Sequence, residues 1–280
     1  MVIVDMIISN IINERPLIMG VLNVTPDSFS DGGNYYDPED AVMHALNMIN
    51  EGADIIDLGG ESTRPGSERV SAEVQKQRVL PVISVLRKQL PEKTIISIDT
   101  TLSEVAEAAV EAGAGMINDI SAGRDDPDLF SVAAEHHCLY VIMHMQGSPK
   151  TMQVNPTYKN IINEVRDFLL ERGDHAQEAG VKRENIIIDP GIGFGKTREH
   201  NLELMANLHR FVDTGYPVLL GTSRKRFMGS LCSSAAPEHL IGATCATTTL
   251  GVAAGVKLFR VHDVRENRQA ADVAWSILHQ

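Results

Sequence analysis

Eight short runs of Ile, Val, Leu and Met recur along the chain, and each is followed by turn residues and then by a stretch with helical character. The runs are residues 17–22, 54–58, 94–98, 115–118, 139–143, 185–188, 217–220 and 257–261. Most carry no polar alternation, which is the pattern of parallel strands covered on both faces. No Ser/Gly/Pro-rich linker divides the chain, and no sequence repeat exists beyond the βα unit. Eight such units in one undivided domain, 1–280, predict an α/β fold of the (β/α)8 TIM-barrel type. The alternative is a doubly wound open sheet. That fold usually announces itself with a glycine fingerprint after its first strand, but here the first run leads into Asn23-Val24-Thr25-Pro26-Asp27. Residues 2–10 read as a short N-terminal hairpin closing the barrel bottom.

Helix signals stand between the runs. Asp37-Pro38 and Asp126-Pro127 each place a capping carboxylate before a proline suited to the first helical position. Thr101-Leu102-Ser103-Glu104 has the form of a capping box, opening a helix with Val105, Ala108, Ala109 and Ala112 along one face and Gly113 at its end.

Composition excludes several classes of function. Hydrophobic residues make up 43% and charged residues 22% of the 280, which rules out a disordered or fibrous chain. There are 25 Lys and Arg against 37 Asp and Glu, a net charge of −12, and no basic run is longer than Arg224-Lys225-Arg226. That balance argues against a nucleic-acid partner. Cys138, Cys232 and Cys245 match neither a disulfide framework nor a Cys-x-x-Cys pattern, and are expected to be buried free thiols. The first dozen residues carry Asp5 and no Lys or Arg, so they read as the start of the fold and not as a leader. Residues 240–256 carry no charge but hold four threonines, which predicts a buried or interface helix over a membrane span. The expectation is a soluble, cytoplasmic protein with no membrane partner.

In a barrel of this kind chemistry sits just past the C-terminal ends of the strands. Those positions hold Asn23; Glu61, Thr63 and Arg64; Asp99; Asn118 and Asp119; His144; Asp189; Ser223 and Lys225; and Arg260 and His262. A single acid at a strand end is easily a helix cap, but capping alone does not require polar groups at all eight. Asp99, Asn118 and Asp189 offer acceptors suited to an edge of N–H donors, such as the amino-pyrimidinone edge of a pterin or purine. Lys225, Arg64, Arg260 and His262 offer cationic donors suited to phosphate oxygens and a ring carbonyl. Together they describe a site for a flat heterocycle with a phosphorylated arm.

Other signals are weaker. Gly191-Ile192-Gly193-Phe194-Gly195-Lys196-Thr197 resembles a P-loop, yet Pro190 stands where that motif needs its first glycine, so a turn allowing close backbone approach to a flat ligand is the better reading. His136-His137 is expected to be a solvated pair. His144 is as well explained by a satisfied core position as by ligand contact. The segments 25–37 and 60–71 are longer than barrel geometry needs, and with Phe29, Arg64 and Arg69 they are candidate lids.

Longer motifs are more specific. Residues 19–33, MGVLNVTPDSFSDGG, resemble the first signature of the dihydropteroate synthase family, and residues 57–66, DLGGESTRPG, are similar to its second. Further matches are Ser97-Ile98-Asp99-Thr100, Ile117-Asn118-Asp119-Ile120, Met143-His144-Met145-Gln146-Gly147, residues 189–196, Ser223-Arg224-Lys225 and Arg260-Val261-His262-Asp263-Val264. The resemblance runs in order from about residue 17 to the C-terminus. It implies a folate-pathway transferase that joins 6-hydroxymethyl-7,8-dihydropterin diphosphate to 4-aminobenzoate.

Carried over by motif, the resemblance implies that Asp99, Asn118, Asp189 and Lys225 hold the pterin ring and that Thr63 also contacts that substrate. Asn23, Arg260 and His262 would bind the diphosphate, with Asn23 near Mg2+. Phe29, Arg64, Pro65 and Ser223 would build the aminobenzoate pocket, which sulfonamides mimic. A homodimer is also implied, with residues 240–256 in its interface. The chemistry gives the catalytic assignments a reason. Breaking a C–O bond to diphosphate leaves positive charge on the pterin methylene and negative charge on the leaving group, so fixed charges are needed at both ends. Arg260, His262 and Mg2+ are assigned to the leaving group and Asp99 to the cationic ring, with Lys225 counted among the catalytic residues. Two rivals share the barrel: a pterin-dependent methyltransferase domain, which has no diphosphate to bind, and a non-catalytic pterin-binding protein.

Overall fold

Side chains along each barrel strand point alternately inward and outward, and this alternation places the site. The computed structural model describes residues 15–25, 38–62 and 69–280. The N-terminal hairpin, Phe29, Thr63, Arg64 and Pro65 lie outside the described residues, as does most of the two candidate lids.

Eight strands form one parallel sheet: β1 Leu17–Asn23, β2 Ile55–Gly59, β3 Ile95–Asp99, β4 Met116–Asp119, β5 Leu139–Met143, β6 Ile186–Asp189, β7 Leu219–Leu220 and β8 Leu258–Val261. They follow chain order around the sheet, with β1 between β2 and β8. An isolated parallel bridge between Ile188 and Val218 joins β6 to the entry of β7 and closes the barrel. The helices are α1 Pro38–Asn50, α2 Ala72–Gln89, α3 Ser103–Glu111, α4 Asp128–Glu135, α5 Ile161–Glu178, α6 Arg198–Ala206, α7 His209–Val212, α8 Arg226–Leu231, α9 Ile241–Ala253 and α10 Val264–Leu278. The TIM-barrel expectation therefore holds.

Two apolar clusters divide the strand side chains. Leu17, Met19, Ile55, Met116, Leu139, Val141, Ile187, Leu219 and Leu258 fill the barrel interior. Their neighbours Ile18, Leu22, Ile56, Leu58, Ile96, Ile98, Ile117, Tyr140, Ile142, Ile188, Leu220 and Phe259 face outward against the helices. Moving two residues up from the interior cluster keeps the inward parity. On five strands the residue there is polar, Asp57, Ser97, Asn118, Asp189 and Arg260, whereas β1, β5 and β7 place Val21, Met143 and Gly221 at that level. An apolar floor thus carries a polar upper layer.

The predicted capping box does not form. The N-cap of α3 is Leu102, which has no side-chain cap, and the amide of Ser103 donates instead to Asp126 Oδ2 at 2.7 Å. Glu104 pairs with Lys76 on α2. Asp126 also accepts from Asp128 N through its other oxygen, so one carboxylate serves the starts of two adjacent helices. The thiols differ from expectation as well. Cys138 is buried, but Cys245 is half-buried and Cys232 is exposed. Among the described residues no helix is long and apolar enough to cross a membrane. His136 and His137 are exposed, and no group of three or more His, Cys, Asp or Glu among the described residues could hold a metal ion.

Candidate active site

Arg260, the inward residue of β8, crosses the barrel mouth to two acids. Its Nε donates to Asp57 Oδ2 at 2.6 Å and its Nη2 to Asp99 Oδ2 at 2.7 Å. Burial alone would lower the Arg260 pKa, but Asp57 and Asp99 outweigh it and raise it. Asn118 Nδ2 donates to the same Asp57 oxygen at 3.1 Å, which leaves the Asn118 Oδ1 turned away as an acceptor. Asp57 is fully buried and was not among the residues singled out from sequence. The signal was present: an acid at an inward position in the middle of an apolar strand.

Two carboxylate oxygens in this layer, Asp57 Oδ1 and Asp99 Oδ1, are buried without a partner among the described residues. A buried acceptor left unpaired is costly, so the layer is built to receive donors from a ligand. Asp99 feels that burial directly: its pKa rises to about 7, even with Arg260 pulling it down. Asp189 rises to about 6 for the same reason, against a hydrogen bond from Gly191 N to its Oδ1 at 2.7 Å. Asp119, by contrast, faces outward and is consumed structurally by Ser121 N, Gly123 N and the Tyr140 hydroxyl. Glu61 is held by Gln75 Nε2 at 2.9 Å, and Gln75 in turn receives the Thr100 hydroxyl.

On the other side of the mouth, Ser223 and His262 form a pair. Ser223 Oγ accepts the backbone N–H of His262 at 3.1 Å and lies 2.9 Å from its Nδ1. A Ser223 hydroxyl proton donated to Nδ1 would leave the ring proton on Nε2, where it can donate into the mouth. Burial, reinforced by Arg260 and Arg224, lowers the His262 pKa to about 3. These surroundings favour the neutral ring, and the charge of an anionic ligand beside it would favour the cation of the sequence reading. Ser223, which the family resemblance gave to the aminobenzoate pocket, is seen here orienting His262.

Lys225 precedes α8, with Nζ 4.0 Å from the centroid of the Phe194 ring. Burial lowers its pKa to about 8, with Arg260 adding to the effect and Asp189 and Asp99 opposing it. Phe194 packs against an apolar wall of Ile120, Met143, Met145 and Met152. This wall also went unrecognised in the sequence, because methionines at strand ends look like ordinary core. The turn carrying Phe194 depends on its glycines. Gly191, Gly193 and Gly195 have φ of +67°, +84° and +64°, and a Cβ on Gly191 would lie 1.9 Å from His144 O. A cavity of about 220 Å3 opens beside Asp99, lined in part by Glu61, Ser62, Thr100, Ile120 and Ser148. Arg69 of the second candidate lid pairs with Asp125 at its rim.

Asn23, Asp99, Asn118, Asp189, Ser223, Lys225, Arg260 and His262 thus occupy one end of the barrel. A sequence profile described as pterin binding enzyme matches residues 19–262. The chain belongs to the dihydropteroate synthase family. It is 49% identical to the dihydropteroate synthase of Clostridium beijerinckii over 93% of each chain. A dihydropteroate synthase from Xanthomonas albilineans, solved with 4-aminobenzoic acid, superposes with a TM-score of 0.89 at 43% identity, covering 95% of this chain and 94% of that one. The Yersinia pestis dihydropteroate synthase, solved with a sulfonamide drug complex, also superposes with a TM-score of 0.89, at 36% identity and 95% coverage of each chain. Like the rest of the dihydropteroate synthase family, the chain is a transferase.

Proposed function

We propose that this mouth joins 6-hydroxymethyl-7,8-dihydropterin diphosphate to 4-aminobenzoate, giving 7,8-dihydropteroate and diphosphate. The observation that supports it best is one barrel mouth in which acceptors (Asp99, Asn118, Asp189) stand with donors (Arg260, His262, Lys225). The acceptors and Lys225 take the pterin ring, and Thr63 contacts the same substrate. Arg260 and the Nε2–H of His262 take the diphosphate. The C–O bond breaks with its electron pair passing to the diphosphate oxygen. The methylene cation is then captured by the arylamine nitrogen, which releases a proton to solvent. Asp99 stabilises the cationic ring, and Arg260 with His262 stabilises the departing anion. No covalent intermediate with the chain is needed. The Arg260-x-His262 pair favours this reading over a methyltransferase, which has no anionic leaving arm of this kind.

Asn23 ends β1 and offers one hard, neutral amide oxygen near Gly59. That donor suits Mg2+ carried mainly by diphosphate oxygens and water, and such an ion would offset charge on the leaving group. Phe29, Arg64, Pro65 and Ser223 are assigned to the 4-aminobenzoate pocket, where a sulfonamide would compete. A homodimer through α9 and α10 accounts for the exposed Leu250, Val273, Ile277 and Leu278 on those helices. We assign the protein to the cytoplasm.

The rate should follow a bell in pH. Asp189 and Asp99 accept N–H groups through both oxygens, and offset the charge of the cationic ring, only when ionised, so kcat/KM rises with pH through about 6 to 7. Lys225 carries its positive charge to the ring only while protonated, so kcat/KM falls again through about 8. Without ligand, His262 stays neutral throughout. A profile flat from pH 5 to 9 would contradict these roles. The reaction itself is tested by a coupled assay for diphosphate release from the pterin diphosphate. Release that requires 4-aminobenzoate and is competed by a sulfonamide is expected. Release indifferent to 4-aminobenzoate, or none, would overturn the assignment.

A further inference from the structure

Lys196 is a buried lysine with 3% exposure that none of the roles above uses. Its Nζ lies 3.0 Å from His144 Nδ1, 3.3 Å from His144 O and 2.9 Å from Phe194 O. Three acceptors match the three N–H donors of an ammonium. Burial draws the Lys196 pKa down to about 7, Asp189 opposes that and Lys225 and Arg124 add to it, so the full set of three donors belongs to the protein below that pH. Two of the acceptors belong to the residue following β5, and the third belongs to the glycine turn after β6. Beyond them the same Nζ sits close beneath that turn, since a Cβ on Gly191 would come within 3.4 Å of it.

We propose that Lys196 is a positioning residue for pterin binding, whose ammonium ties the end of β5 to the turn after β6 and so fixes Asp189 and Phe194 against the ring. The tie acts on both sides of the turn. Asp189 lies at its start, held by Gly191 N, and Phe194 lies at its far end, with its ring beneath the Lys225 ammonium. Gly193 O is separately held by Gln153, and Gly195 O by Tyr158, so both carbonyls of the turn's outer arm are also engaged. His144 is thus a core histidine serving a lysine, its Nδ1 an acceptor and its ring packed edge-on against Phe168.

The charge has a consequence of its own. The groups facing Lys196 are Asp189 from β6, Lys225 before α8, Arg124 from the loop after β4, and His144 after β5. Among the described residues Asp189 is the anionic group that acts on it. Asp189 in turn faces Lys225, Lys196 and Arg260, all of which favour its carboxylate form. Burial of His144 beside Lys196 lowers the histidine pKa to about 2, so it remains a neutral acceptor.

The inference rests on the ring-binding reading of Asp189, and the test separates the two. Turnover by the unsubstituted chain, with its acid limb in the pH profile, tests the reading. Lys196→Met tests the inference. Folding is checked by circular dichroism, and the acid limb of kcat/KM is then measured. The variant is expected to raise KM for the pterin diphosphate about tenfold. Its KM for 4-aminobenzoate should be unchanged, kcat should fall less than threefold, and the acid limb should move to higher pH. His144→Leu, which removes one of the three acceptors, is expected to give the same pattern at about threefold, and it serves if Lys196→Met does not fold. A uniform loss of kcat with an unmoved acid limb, or equal rises in both KM values, would overturn the proposal.

Discussion

Alanine in place of Arg260 is expected to lower kcat roughly a thousandfold and to destabilise the fold by about 3 kcal/mol. The rate falls because a preorganised donor to the leaving diphosphate is gone. The stability falls because Asp57, which is fully buried, and Asp99 lose the guanidinium that both of them bind. Two carboxylates then face each other out of water, and one of them must hold a proton. Its folded-state pKa lies above the unfolded value, so the destabilisation grows as pH rises through it and shrinks in acid. Urea titrations at pH 5 and pH 8 together with steady-state diphosphate release check both parts. A near-normal rate, or equal destabilisation at the two pH values, would count against the network.

Lys225→Ala is expected to produce a comparable loss of turnover, roughly a thousandfold, with almost no change in melting temperature. Among the described residues, the Lys225 ammonium contacts an aromatic ring at 4.0 Å and not a carboxylate at salt-bridge distance. Its depressed pKa, to about 8, shows that the fold pays to keep this charge where it is. Removing it relieves that burial and breaks no salt bridge among the described residues, and Asp189 keeps Lys196 and Arg260 as cations that favour its carboxylate form. The two variants separate cations held by the fold from cations held for the substrate. If Lys225→Ala were to retain near-normal kcat/KM, the assignment of Lys225 to the pterin ring would fail.

Much of this architecture was legible in the residues. All eight apolar runs became strands, with boundaries shifted by two residues or fewer at every end, because buried parallel strands need little besides continuous β-branched and aliphatic side chains. The polar strand ends were visible for the same reason, as interruptions of those runs. What escaped was whatever depends on contacts between units. Asp57 looked like part of the second strand until Arg260, 203 positions later, was seen against it. The box at Thr101 lost its cap to Asp126, 23 residues on from Ser103, which no local pattern announces. The charge of His262 was not legible because its environment, not its identity, sets it. Lys196 was read as the tail of a glycine turn, since only the positive φ values at Gly191, Gly193 and Gly195 fold it inward.

The central claim is that acids and amides on one side of the mouth hold the ring while Arg260 and His262 hold the diphosphate. Calorimetric titration of the unsubstituted chain, Asp189→Ala and His262→Ala with two ligands tests it most directly. One ligand is the pterin diphosphate and the other is 6-hydroxymethylpterin, which lacks the phosphorylated arm. Loss of Asp189 should weaken both ligands by a similar factor, whereas loss of His262 should weaken the diphosphate alone. If His262→Ala weakened both equally, or Asp189→Ala spared the arm-less pterin, the division of the mouth into ring and leaving-group halves would be wrong.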